Sequence, residues 1–231
     1  MSTAQSTKSI YLAKHSITKE YDFVCYDPEG VSDLSEKPAS ECLEMFDRLE
    51  FSHWFDDANT AINYIKQTST HKKIIVIGSS MGGWITLFMA QKHPELIKGV
   101  ILIAPALNFT RKMYLNWYNV CTLDEKKKLD AGETIVVKSA YGEKPMSKRF
   151  IETSYVVEMD LTSPINVDCP VKILHGVQDD TVNFESSIGV MKLLTSQDVD
   201  LLYRKSGDHR LSEEKDLELL SETLDKMMKT V

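Results

Sequence analysis

Lys73-Ile74-Ile75-Val76-Ile77-Gly78-Ser79-Ser80-Met81-Gly82-Gly83-Trp84 decides how the chain reads. A β-branched apolar run stops at a glycine, and Gly-x-Ser-x-Gly follows at once. Apolar residues at Ile85, Leu87, Phe88, Met89 and Ala90 continue with helical spacing. Strand, sharp turn and helix in that order are the context in which a serine is held out as a nucleophile. The turn demands small neighbours: Gly78 and Gly82 flank Ser80, and Gly83 lets the helix approach a strand closely. The helix N-terminus beneath Ser80 favours negative charge near its oxygen.

Downstream the chain alternates. The helix predicted over 81–92 is closed by His93-Pro94, and Val100-Ile101-Leu102-Ile103 is a continuous apolar run of strand length. Runs like this are buried on both faces, as in a parallel sheet. Val171-Lys172-Ile173-Leu174 and Val199-Asp200-Leu201-Leu202-Tyr203 predict two more strands, with helices over 184–195 and 212–229. The alternation implies an α/β fold with a doubly wound, mostly parallel sheet covered on both faces.

Upstream, Trp54, Ala58, Ala61, Ile62 and Ile65 mark an amphipathic helix, and 42–49 reads as a shorter one. Asp27-Pro28-Glu29-Gly30 is a turn closing a strand at Phe23–Tyr26. Ser9–Ala13 reads as a short strand and residues 1–8 as a disordered tail. Residues 107–165 break the rhythm. They read as a lid insertion over the strand ends, within a single domain of 1–231. Tyr114, Trp117 and Tyr118 share a helix face there, Ile135–Val137 is a strand or hairpin arm, and 150–159 looks helical. Tyr114 and Trp117 offer surface to an acyl chain. A core role for them is an equal reading.

Of 231 residues, 42% are hydrophobic and 26% charged, with a net charge of -7. That balance suits a soluble globular domain, and the acidic excess argues against nucleic acid as a partner. Lys126-Lys127-Lys128 follows Asp124 and Glu125, which marks a solvated helix face. Cys25, Cys42, Cys121 and Cys169 are widely spaced. That argues against a metal site or a disulfide framework and for a reducing compartment. No apolar run is long enough for a membrane span, and Met1–Lys8 carries no targeting pattern, so the sequence as it stands implies the cytoplasm.

A serine hydroxyl needs a base, and the base needs an acid to hold its tautomer. In a doubly wound hydrolase these follow in the order Ser, Asp or Glu, His, each beyond a strand's C-terminal end. Asp179 follows the strand at 171 and His209 follows the strand at 199, so both can converge with Ser80. Asp180 competes with Asp179. Asp208 is expected to face away from His209. His175, at a strand end, reads as a packed or hydrogen-bonded turn residue. Met81 N–H supplies one oxyanion donor. Residues 14–20 contain no glycine and do not resemble a loop that supplies a second. No metal or cofactor is needed.

From about residue 21 the chain resembles the α/β-hydrolase superfamily, and within it the palmitoyl-protein thioesterases and acyl-glucuronide esterases. The resemblance rests on Gly78–Trp84, Ser163-Pro164-Ile165, Cys169-Pro170 through Leu174-His175-Gly176-Val177-Gln178-Asp179-Asp180-Thr181-Val182, and Asp208-His209-Arg210. It implies Asp179 as the acid, His209 as the base, and protein-bound or small-molecule acyl esters and thioesters as substrates. It also implies a mitochondrial location. The chain departs from the family at its front, where a Gly-Phe-x-Ser-type oxyanion loop has no counterpart. Two rivals remain: a hydrolase-fold binding protein without turnover, and a dienelactone- or peptidase-like hydrolase.

Overall fold

The computed structural model describes residues 3–71, 73–139 and 142–231. Its elements in chain order are α1 (Thr7–Lys19), α2 (Val31–Glu36), α3 (Leu43–Arg48), α4 (His53–Thr68), β1 (Ile74–Ser79), α5 (Met81–Lys92), β2 (Ile97–Ile103), α6 (Thr110–Val120), α7 (Leu123–Asp130), β3 (Ile135–Ser139), β4 (Gly142–Met146), α8 (Lys148–Glu152), β5 (Val171–Gly176), α9 (Ser186–Leu193), β6 (Val199–Arg204) and α10 (Glu214–Met228). They divide into two compact units. One holds Thr7–Val24, Ile62–Leu107 and Met159–Val231; the other holds Cys25–Ala61, Asn108–Glu158 and the described part of Met1–Ser6.

The first unit is built on four parallel strands in the order β1-β2-β5-β6. Helices cover both faces of this sheet, as the alternation predicts. Ile75, Ile77, Ile101, Ile103 and Leu174 join Leu12 of α1 and Leu220, Leu224 and Met227 of α10 in one cluster. Each fully buried side chain of this kind contributes roughly 1.5–3 kcal/mol. Gly99 sits under α10: a Cβ there would lie 2.4 Å from Met227 Sδ. Helix α5 packs on β1 and β2. Trp84, Ile85, Leu87, Met89 and Ala90 are all buried, as expected of a helix that is apolar all round.

The front of the chain departs from the sequence reading. Ser9–Ala13 is not a strand, and the expected tail of 1–8 includes the start of a helix, because α1 spans Thr7–Lys19. Its inward face has the helical period: Leu12 and Ser16 are buried, while Tyr11, His15 and Lys19 reach α10. Tyr11 Oη lies 3.3 Å from Ser221 Oγ, and His15 Nε2 and Lys19 Nζ lie 2.8 and 2.9 Å from Asp225. Phe23–Tyr26 forms no ladder with any described strand. The chain passes from one unit to the other at Val24–Cys25, and Tyr21 and Phe23 pack on the α1–α10 cluster instead.

The second unit has an aromatic core. Phe46 and Phe150 lie 4.6 Å apart between ring centroids, Trp54 and Phe150 5.2 Å, and Phe51 and Phe109 6.3 Å. β3 and β4 form an antiparallel hairpin, so Ile135–Val137 is a hairpin arm. Residues 150–159 are helical only in part, through α8 and a 3-10 turn at Tyr155–Val157. Helix α7 opens on a capping box between Thr122 and Glu125.

Candidate active site

Ser80 ends the β1 turn at φ 56° and ψ -121°, a conformation costing roughly 1–3 kcal/mol for a residue with a Cβ. Its backbone is held on both sides. Ser80 N–H donates to Ile103 O at 2.8 Å, and Ser80 O accepts from Gly83 N–H at 2.9 Å and Ala106 N–H at 3.0 Å. A Cβ at Gly78 would lie 2.2 Å from Gly82 O and 2.3 Å from Thr86 Oγ1, and one at Gly83 would lie 2.8 Å from Pro105 Cβ. The demand for smallness at Gly82 is not of this kind, for a Cβ there meets nothing within 4 Å. Met81 is the first residue of α5, so its N–H has no acceptor inside the helix.

Three loops of one unit bring the predicted residues together. His209 Nε2 lies 3.1 Å from Ser80 Oγ, and His209 Nδ1 lies 2.7 Å from Asp179 Oδ2. Asp179 Oδ1 accepts from the N–H groups of Thr181 and Val182, both at 2.8 Å. The Asp179 side chain is fully buried, and that of His209 is 19% exposed. Burial would push the Asp179 carboxyl up. The Val182 N–H, His209 and the Thr181 N–H outweigh it and hold the group below its ordinary value. Asp180 is exposed and accepts from Thr181 Oγ1 at 3.1 Å. Asp208 accepts from the N–H groups of Arg210 and Leu211 in its own loop.

Two glycines seat Asp179 beside His209. A Cβ on Gly176 would lie 2.2 Å from Gly207 O, and Gln178 N–H donates to that same oxygen at 2.9 Å. The turn after β5 and the loop after β6 therefore run in backbone contact. Neither glycine stood out in the sequence, although each adjoins a motif: His175-Gly176 and Gly207-Asp208-His209.

His175, expected as a packed or hydrogen-bonded turn residue, is buried and hydrogen-bonded, and it lies in the last residues of β5 rather than in the turn itself. What the sequence reading missed is its partner. His175 Nε2 lies 3.0 Å from Asp179 Oδ2, the oxygen that also meets His209. The four-residue spacing in His-Gly-x-x-Asp was the available signal.

Tyr114 and Trp117 lie in α6, in the second unit, and pack there on Leu129, Ile135, Val137 and Met146. Lys14–Lys19 lie inside α1, and Tyr21 N–H donates to Ser16 O, so this segment's amides are committed locally. Among the described residues no group of three or more His, Cys, Asp or Glu is arranged to hold a metal ion. None of their helices is long and apolar enough to cross a membrane.

Known proteins resemble this chain along most of its length. The family model described as serine aminopeptidase, S33, matches residues 5–129. Palmitoyl-protein thioesterase ABHD10, mitochondrial, of Bos taurus is 27% identical over 99% of this chain and 70% of its own. Its Homo sapiens counterpart is 33% identical over 67% of this chain and 50% of its own. Among solved structures, alpha/beta hydrolase domain-containing protein 10 from mouse matches with a TM-score of 0.76 at 26% identity, covering 99% of this chain and 86% of that one. Est1E from Butyrivibrio proteoclasticus bound to ferulic acid, at 16% identity and a TM-score of 0.75, shares the fold.

Proposed function

Since this chain belongs to the serine aminopeptidase S33 family and has the α/β-hydrolase fold, we propose that it hydrolyses acyl thioesters and esters through an acyl-enzyme on Ser80. The observation that carries the reading is the unbroken line Ser80 Oγ–His209 Nε2, His209 Nδ1–Asp179 Oδ2, at 3.1 and 2.7 Å, on a serine with positive φ. His209 Nε2 takes the Ser80 proton as Oγ attacks the acyl carbon. Asp179 holds the imidazole with Nε2 toward the serine and balances the imidazolium that forms. Met81 N–H donates to the oxyanion, and the α5 N-terminus favours its charge. The tetrahedral intermediate expels the thiolate or alkoxide, which takes the proton from His209. Water then gives a proton to His209 as it attacks the acyl-enzyme, and the second tetrahedral intermediate expels Ser80 Oγ, which takes that proton back from His209 and leaves the free acid.

Palmitoyl thioesters of proteins are the substrate class favoured by the names of the ABHD10 relatives, and a mitochondrial location comes from the same names. The family's description favours a second reading, in which the acyl group leaves an amine. Hydrolysis of a palmitoyl thioester, a p-nitrophenyl ester and an aminoacyl anilide, each with Ser80→Ala alongside, tests both. We expect thioester and ester turnover and fluorophosphonate labelling, all lost in Ser80→Ala. Turnover confined to the anilide would favour the peptidase reading. A folded protein with no Ser80-dependent chemistry would overturn both.

A further inference from the structure

Asp179 serves two imidazoles, and only one of them faces the serine. His175, at the end of β5, has a fully buried side chain. Its Nε2 faces two acceptors, Asp179 Oδ2 at 3.0 Å and Val182 O at 3.2 Å. A nitrogen between a carboxylate and a carbonyl carries the proton. Its Nδ1 lies 2.7 Å from the buried Ser187 Oγ at the start of α9. In a neutral ring that nitrogen accepts, so Ser187 donates to it and keeps the proton on Nε2. The turn is closed from both sides: Val182 N–H binds Asp179 Oδ1, and Val182 O receives His175.

We propose that His175 is a positioning residue, whose Nε2–H, kept on that nitrogen by the Ser187 hydroxyl, holds Asp179 Oδ2 in place to receive His209 Nδ1–H. This rests on the Ser80–His209–Asp179 reading above. The carboxylate has about four lone-pair positions, and four donors meet them: two backbone amides on Oδ1 and two imidazoles on Oδ2. Without His175, Oδ2 is held by the His209 ring alone, and the carboxylate can turn about its Cβ–Cγ bond. A misplaced acid misplaces the base, and an error of an ångström costs about 10²-fold in rate.

The test compares His175→Phe, which keeps the ring's bulk, with His175→Gln, which keeps an N–H donor. Steady-state hydrolysis of a p-nitrophenyl ester is read beside the far-downfield proton NMR signal of a histidine N–H bonded to a carboxylate. We expect His175→Phe to lower kcat by about 10- to 100-fold with KM little changed, because an acid held out of place weakens the transition state alone. The His209 downfield signal should broaden or move in the same variant. His175→Gln should recover most of the rate and keep that signal. A folded His175→Phe with wild-type kcat and an unmoved signal overturns the proposal, as does a His175→Gln no better than His175→Phe. Should His175→Phe fail to fold, Ser187→Ala decides: a several-fold fall in kcat with a shifted signal supports the proposal, and no change in either overturns it. The NMR signal reads the Asp179–His209 geometry with or without turnover. Failure of the hydrolase reading, seen as no Ser80-dependent activity in the wild type, is therefore distinguishable from failure of the positioning role.

Discussion

At the scale of single residues, the glycines around Ser80 are not equivalent, though the motif writes them alike. Gly78 faces Gly82 O and Thr86 Oγ1 at distances no Cβ can share, whereas the space at Gly82 is open. Gly78→Ala is expected to lower stability by roughly 1–3 kcal/mol or more, as overpacking does. Gly82 lies in α5 without a positive φ, so Gly82→Ala should leave stability unchanged or raise it by up to about 1 kcal/mol. Urea unfolding of the two variants checks both, and equal losses would mean that crowding is not what selects glycine here. Asp179→Asn keeps the shape of the acid but can hold His209 in the wrong tautomer. It should cost about 10⁴ in kcat with little loss of fold, read by ester hydrolysis and far-UV circular dichroism. Ser80, Asp179 and His209 were legible because each sits in its own short, local signal. The contact of His175 with Asp179 is harder to read, because the four-residue spacing becomes a contact only where the chain turns back sharply at the end of β5.

At the scale of elements, the loops after β5 and β6 set the distance from Asp179 to His209, and Gly176 against Gly207 is their point of contact. A methyl at Gly176 would meet backbone atoms, Gly207 O, Gly207 C and Asp208 O, at 2.2–2.5 Å. Backbone cannot step aside as a side chain can, so the two loops must part. Gly176→Ala is therefore expected to reduce fluorophosphonate labelling of Ser80 more steeply than it lowers the melting temperature. A variant that loses stability while its folded fraction labels at the wild-type rate would show that the contact is only structural. The four parallel strands, with α5, α9 and α10, were readable because each strand is a short apolar-rich run and a stretch of helical spacing follows it. The first helix was not. In α1 only Leu12 and Ser16 are buried, and beside Leu12 its tie to α10 runs through Tyr11, His15 and Lys19, a polar i, i+4 series of which Ser9–Ala13 holds only the first member. The unit joining Cys25–Ala61 to Asn108–Glu158 was hidden for a related reason, since its halves are distant in sequence.

At the scale of the whole molecule, the titratable groups whose pKa the fold shifts set how stability follows pH. Burial pushes the His175 imidazole down, more than the neighbouring Asp179 raises it, and burial also lowers His93. A histidine whose folded pKa lies below its unfolded value of about 6.5 leaves the unfolded chain binding more protons as pH falls. Stability from these groups is therefore complete above about pH 6.5 and is lost on acidification toward their depressed folded values. The carboxylates act lower. Burial opposes ionisation of Asp179 and Asp225, but hydrogen bonds from Val182 N–H and His209 in the first, and from Lys19 and His15 in the second, hold both below their ordinary values. Their contribution is present above about pH 3.9 and falls below it. Acid unfolding should thus come in two stages, a first weakening below about pH 6.5 and a steeper one below about pH 4. The first stage has a slope of at most about 1.4 kcal/mol per pH unit for each histidine. Urea midpoints across this range, for the wild type and for His175→Gln, separate the terms. The variant should lose the His175 share of the first stage, keep the His93 share, and fall with the wild-type slope below pH 4. A first stage unchanged by His175→Gln would mean that the buried ring takes up its proton as easily in the folded protein as in the unfolded chain.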